Sequence, residues 1–160
     1  MIKKIIVTLT ILLTGVASNA TPVDDVAAFF DKYVNAANSY SETIPEFYAP
    51  DAKIIRVVIK KDGTRESVST DTSVYMRQLK MNAKLAKIRG YKNFYSDRKI
   101  VKIGDNYKLF CNRQPSLSKY KLPAHFVIGK DASGNYKIKE ESMDTYQTAI
   151  LIGASKAKQD

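Results

Sequence analysis

The 160-residue chain has one cysteine, Cys111, and one histidine, His125. A lone cysteine cannot close an internal disulfide, so stability must come from packing. Within NYKLFCN, Cys111 reads as a buried strand residue; an intermolecular disulfide or a reactive thiol are the other readings. One histidine and one cysteine are too few for a metal site built from such ligands, so neither metal nor cofactor is expected. No supporting motif places His125 in a Ser-His-Asp arrangement. Long apolar runs are equally scarce. The one from Ile5 to Ala17 is shorter than the ~20 residues that a bilayer-spanning helix needs. No repeat, low-complexity tract or linker divides the chain.

That apolar run follows Lys3 and Lys4 and ends in Ser18, Asn19 and Ala20, the layout of a secretory signal cleaved after Ala20. The expectation is an exported protein, periplasmic or secreted, with a signal at residues 1–20, one domain at 21–153 and a fraying tail at 154–160. No transmembrane segment is expected in the mature chain. A chain of that size buries roughly two-thirds of the surface its unfolded form would expose, which suits one core. Without Lys3 and Lys4 the mature chain carries 24 basic and 16 acidic side chains, a net +8 with His125 neutral. Such a balance favours anionic partners. In an exported protein these would be anionic lipid or envelope polymer rather than nucleic acid, unless the charge serves solubility alone.

Thr21, Pro22 and Asp24 form a helix start: a capping hydroxyl, a proline at the first position and a carboxylate facing free amides. Val23, Val26, Ala27, Phe30, Tyr33, Val34 and Ala37 then recur at helical spacing, predicting an amphipathic helix to about Ser39. A short helix follows near Ile44 to Tyr48, stopped by Pro50. Ala52 to Lys60 is rich in β-branched residues and reads as a strand, with KDGT as a turn. Ser73 to Arg89, capped near Thr70 to Thr72 and closed by Gly90, reads as a long helix. Val74, Tyr75, Leu79, Met81, Leu85 and Ile88 share its apolar arc, and Arg77, Lys80, Lys84 and Lys87 form a basic stripe. Strands are predicted near Tyr91 to Ile103, Tyr107 to Arg113, Pro123 to Lys130 and Tyr136 to Met143, with AILIG at 149–153 as a last apolar piece.

The order of elements and the corner Phe47, Tyr48, Ala49, Pro50, Asp51, Ala52, running into the apolar strand Lys53 to Ile59, resemble the nuclear transport factor 2-like superfamily (cystatin-like cone, SnoaL-like and ketosteroid-isomerase-type). The resemblance implies an α+β fold, a curved antiparallel sheet wrapped around N-terminal helices and one long helix, enclosing a pocket. It also implies dimerisation through the open sheet face. On the residues alone, Tyr48 is suited to covering the helix end and Asp51 to accepting backbone hydrogen bonds in an Asx-type turn. The ketosteroid-isomerase branch follows this corner with an apolar residue, Glu, Asp and Pro, the aspartate serving as general base. Here those positions hold Ile54, Ile55, Arg56 and Val57, and an arginine cannot act as that base.

If DASGN closes as a turn with Gly134 left-handed, Ile128 opposes Ile138, Phe126 opposes Glu140 and His125 opposes Glu141. A loop one residue longer pairs His125 with Glu140 and Val127 with Ile138. In the first register Glu140 falls on the apolar face and needs a donor or a proton, which Tyr33, Tyr48, Tyr75 and Tyr107 could supply, unless the sheet edge exposes it to water. His125 and Glu140 are therefore the acid/base candidates, an exposed cross-strand pair being the other reading, and a Cys111–His125 nucleophile pair is a weaker one. Tyr33, Tyr48, Tyr75, Gln78, Asn82, Tyr107 and Phe126 are pocket candidates. Arg77, Lys80, Lys84 and Lys87 are candidates for an anionic surface.

Three functions remain open on these residues. The leading one is a non-enzymatic module of the cell envelope that binds a small apolar ligand or an envelope protein in its cavity. The second is a lyase or isomerase moving a proton with Glu140 or His125. The third is a basic surface module for anionic envelope polymers.

Overall fold

The computed structural model describes residues 20–148. The expected signal up to Asn19, the AILIG piece and the tail lie outside the described residues. The first helix, α1, spans Pro22–Asn38, and Thr21 and Asp24 cap it reciprocally: the Thr21 N–H donates to Asp24 Oδ2 (2.8 Å) and the Asp24 N–H to Thr21 Oγ1 (3.3 Å). A one-turn 3-10 helix at Ile44–Phe47 leads directly into β1, Tyr48–Ile59. The corner differs from expectation at two residues. Tyr48 is buried instead of covering a helix end, and Asp51 is exposed, with no described donor to its carboxylate. Pro50 sits where β1 loses register with its neighbour, between Tyr48 and Lys53, so its missing N–H breaks no regular ladder.

β1 turns back through KDGT into β2, Arg65–Thr70, with Gly63 left-handed at φ 83°. The polar RESVST has neither the apolar alternation nor the β-branched density of the other strands, so sequence reading missed this edge strand. The long helix α2 follows at Thr72–Ile88, then β3 (Asn93–Ile103), β4 (Asn106–Pro115), β5 (Leu122–Lys130) and β6 (Tyr136–Thr145). The six strands form one sheet in the order β2-β1-β6-β5-β4-β3, antiparallel except for the parallel β1–β6 pair.

This topology decides where α2 lies. It connects β2 to β3, the two opposite edges of the sheet. Seventeen helical residues cover about 25 Å, close to the roughly 24 Å that five interstrand spacings require. The helix thus acts as a strut across the concave face. Its N-terminal part is tied down: Thr72 Oγ1 donates to the Ala52 carbonyl (2.6 Å), and Tyr75 and Met76 pack on the core. Further along it stands away. Met81 is 68% exposed and Ile88 73%, so the apolar arc is covered over only part of its length.

The core lies between α1 and the sheet. Val26, Phe30 and Tyr33 of α1 meet Ile54, Leu109, Phe126, Ile128 and Ile138. Aromatic rings hold its centre, Phe30 and Phe126 packing edge to face at 4.8 Å between centroids.

Candidate functional site

The β5–β6 hairpin determines which glutamate enters the interior. Its turn closes as expected, with Gly134 left-handed at φ 82° and Ile128 opposite Ile138. The register then shifts: Val127 opposes Glu140, Phe126 opposes Glu141 and His125 opposes Ser142. Lys139 is an extra residue in β6, a bulge that reverses the facing of every residue after it. The first expected register fails beyond Ile128 for this reason, and the second, which pairs Val127 with Ile138, already fails at Ile128. Glu140 is on the convex face, and Glu141 takes the place beside Phe126 on the apolar face.

Glu141 is 0% exposed and surrounded by donors. Arg56 Nη2 (2.5 Å) and the Tyr75 hydroxyl (3.2 Å) donate to Oε1; the Tyr48 and Tyr33 hydroxyls approach Oε2, the latter at 3.2 Å. Tyr33 and Tyr48 oxygens are 2.8 Å apart, and with one proton on each phenol the Tyr33 hydroxyl is shared between Tyr48 and Glu141. Three of the four tyrosines named as partners for a buried glutamate are here, around the neighbouring residue. Burial first, and the Glu141 charge second, raise the pKa of Tyr33, Tyr48, Tyr75 and Tyr95 above the ordinary phenol value. Burial is the largest influence on Arg56 and would lower its pKa, but the charge and hydrogen bond of Glu141 together with Tyr75 and Tyr48 outweigh it, and the guanidinium stays protonated. With the lone-pair directions of both oxygens engaged, the carboxylate has no free site for a substrate proton. Its chemistry is to hold Arg56 and three phenols in place.

Above this cluster a cleft of about 1280 Å³ opens between α2, the end of α1 and the sheet. Tyr33, Arg56 and Tyr75 lie along one part of its floor, and Tyr95, Arg113 and Met143 along another. Leu79, Ala83 and Ala86 of α2 face Leu117, Tyr120 and Leu122 across it. Arg113 is 9% exposed. Its Nη1 donates to Asn93 Oδ1 (3.0 Å) and, more weakly, to the Tyr91 hydroxyl (3.4 Å), and Nη2 to the Asp144 carbonyl (3.3 Å).

The sequence-derived candidates divide around this geometry. Tyr33, Tyr75 and Asn82 line the cleft; Tyr48 lies in the cluster beneath it, and Phe126 is wholly within the core. Gln78 is exposed and Tyr107 half-buried, neither on the cleft wall. Arg77 and Lys80 stand on the cleft wall, while Lys84 and Lys87 are exposed elsewhere on α2. His125 and Glu140 do meet, Nε2 to Oε1 at 2.9 Å, but diagonally across the convex face, away from the cleft. Cys111 is on the concave face and His125 on the convex one, which rules out that nucleophile pair. Burial pushes the Cys111 thiol up to about 12, so it is un-ionised at neutral pH.

Sequence reasoning missed Glu141, Arg113, Tyr95 and the role of Arg56. A signal existed for Arg113 alone: it continues the alternation of Leu109 and Cys111, which puts an arginine on the apolar face of β4.

No protein-family model matches the chain, and no curated protein matches it by sequence. Solved structures do. A nuclear transport factor 2-like protein with a cystatin-like fold from Novosphingobium aromaticivorans superposes with TM-score 0.59 at 11% identity, over 78% of this chain and 82% of that one. One of unknown function from Pseudomonas putida gives 0.57 at 10%, over 75% and 83%, and one from Cytophaga hutchinsonii 0.55 at 15%, over 79% and 99%. The chain therefore has the nuclear transport factor 2-like, cystatin-like fold, an α+β cone with a curved sheet.

Proposed function

We propose that this protein is a non-enzymatic binding domain of the cell envelope, exported by its N-terminal signal, that takes a small and largely apolar ligand in the cleft beneath α2. The observation that carries this reading is the cleft together with its floor: a large, mostly apolar space over polar groups that are already mutually bonded. That combination orients and holds a ligand but leaves no free base. The lyase or isomerase alternative loses support because His125 and Glu140, its acid/base candidates, lie on the convex face. Among the described residues no helix is long and apolar enough to cross a membrane. Exposed Phe94, Phe110, Val101 and Ile103 on the convex face support self-association as a second property.

The test is saturable one-to-one binding of an apolar fluorophore, N-phenyl-1-naphthylamine or its 8-sulfonate, by the full chain. Ala83→Trp puts an indole into the cleft from α2, where the ligand's apolar body would lie, and should weaken binding at least tenfold. Absence of saturable binding by both fluorophores, or equal binding by Ala83→Trp, overturns the reading. Cell fractionation that leaves the protein in the cytoplasm overturns its envelope part.

A further inference from the structure

Two arginines reach the floor of the cleft, and they differ in one respect. Arg56 has Glu141 as its counter-ion. Arg113, nine-tenths buried, has none among the described residues: its three partners there are the Asn93 amide oxygen, the Tyr91 hydroxyl and the Asp144 backbone carbonyl, all neutral. Its Nε–H is buried with no acceptor among those residues. A guanidinium taken out of water among neutral acceptors has lost hydration that nothing in the described fold returns in kind. The positions are also separate. Arg56 shares a cross-strand row with Met143, Ala124 and Cys111, and Arg113 is two residues beyond Cys111 on β4, a strand that lies three interstrand spacings, about 14 Å, from β1.

The rest of the wall has the same sign. Its charged residues are Arg56, Arg77, Lys80, Arg89 and Arg113, against Glu42 as the one acid among the described lining. With Arg56 neutralised, a net positive field remains over an apolar cavity, which draws in and concentrates anions. We propose that Arg113 is the head-group site of the cleft, and that its ligand is an anionic amphiphile: a carboxylate or sulfonate on the guanidinium, with an apolar body lying between Leu79 and Ala83 of α2 and Leu122 of β5. Arginine suits this task because its planar fork matches a two-oxygen anion and it stays charged when buried.

This assignment rests on the cleft being a ligand site, and the test separates the two ideas. N-Phenyl-1-naphthylamine and its 8-sulfonate share one ring framework and differ by the anion alone. The full chain should bind the sulfonate at least about tenfold more tightly, the discrimination expected of a charge-assisted hydrogen bond. Arg113→Met should remove that preference while leaving the neutral fluorophore's affinity within about twofold, and Arg113→Lys should retain part of it. If Arg113→Met does not fold, the wild-type ratio and its salt dependence still decide. A buried pair is weakly screened, so the preference should persist between 50 and 500 mM NaCl. Equal binding of the two fluorophores, a preference unchanged in Arg113→Met, or one abolished by salt would overturn the anion site and leave the cleft reading standing. Failure of both fluorophores to bind would overturn both.

Discussion

Glu141→Gln is the most informative single substitution, because Glu140 beside it provides an internal control. Glutamine keeps the shape of Glu141 but loses its charge and turns one acceptor oxygen into an NH2 donor. With the NH2 toward Arg56 two donors face each other, and with it toward Tyr33 and Tyr48 the phenols must turn from donating to accepting. Arg56, 17% exposed at its side chain, is left without its counter-ion. Breaking a buried pair in this way costs about 3–5 kcal/mol. For a domain of this size that is roughly 10–15 °C in Tm, and it removes a large share of a typical 5–15 kcal/mol total stability. Glu140→Gln removes instead a convex-face contact with His125, both about a quarter exposed, and should cost less than ~1 kcal/mol. Urea unfolding followed by circular dichroism, with the slope checked for constancy, measures both. The double variant Arg56→Met with Glu141→Gln should be milder than the sum of the singles by about 0.5–3 kcal/mol. Glu141→Gln within 1 kcal/mol of wild type, or no worse than Glu140→Gln, would refute both the bulge-defined facing and the buried network.

The same cluster makes the fold sensitive to alkali. Tyr33, Tyr48, Tyr75 and Tyr95 keep their protons in the folded state above the pH at which unfolded phenols lose theirs, so the folded state binds more protons and stability falls as pH rises beyond about 10. Each such group contributes a slope of up to about 1.4 kcal/mol per pH unit; urea midpoints at pH 9 and 11 that coincide would contradict this. Cys111 should resist 5,5′-dithiobis(2-nitrobenzoate) in the native protein at pH 8 and react fully in urea, because the folded thiol titrates only near 12. Rapid native labelling would contradict its burial against the Ala124 carbonyl.

Much of the architecture could be read in advance because it rests on local rules. The Thr21–Asp24 cap, the left-handed Gly134 and the periodicity of α1 each depend on residues close in sequence. The site was harder to read, for a specific reason. Side chains alternate along a strand, so one inserted residue exchanges inside for outside, and nothing in YKIKEES marks Lys139 as that residue. Glu140 itself takes the partly exposed place with His125 that was its other reading, and the buried glutamate among Tyr33, Tyr48 and Tyr75 is Glu141, one position on. α2 raised a different difficulty. Its apolar arc does not show how much of it is covered: a helix that must reach from one sheet edge to the other is anchored at its start and lifted along its length.

The sequence by itself determined the elements other than β2, since helix caps, turn residues and hydrophobic period act over a few residues; the α+β cone and the missing ketosteroid-isomerase aspartate were implied by its resemblance to the nuclear transport factor 2-like superfamily. Only the tertiary structure decided which glutamate is buried, that Arg56 is its partner and that Arg113 has no anion beside it among the described residues. Those facts follow from strand register and from contacts between β1, β4 and β6, elements as many as 85 residues apart in the case of Arg56 and Glu141, and no local pattern encodes a contact at that separation.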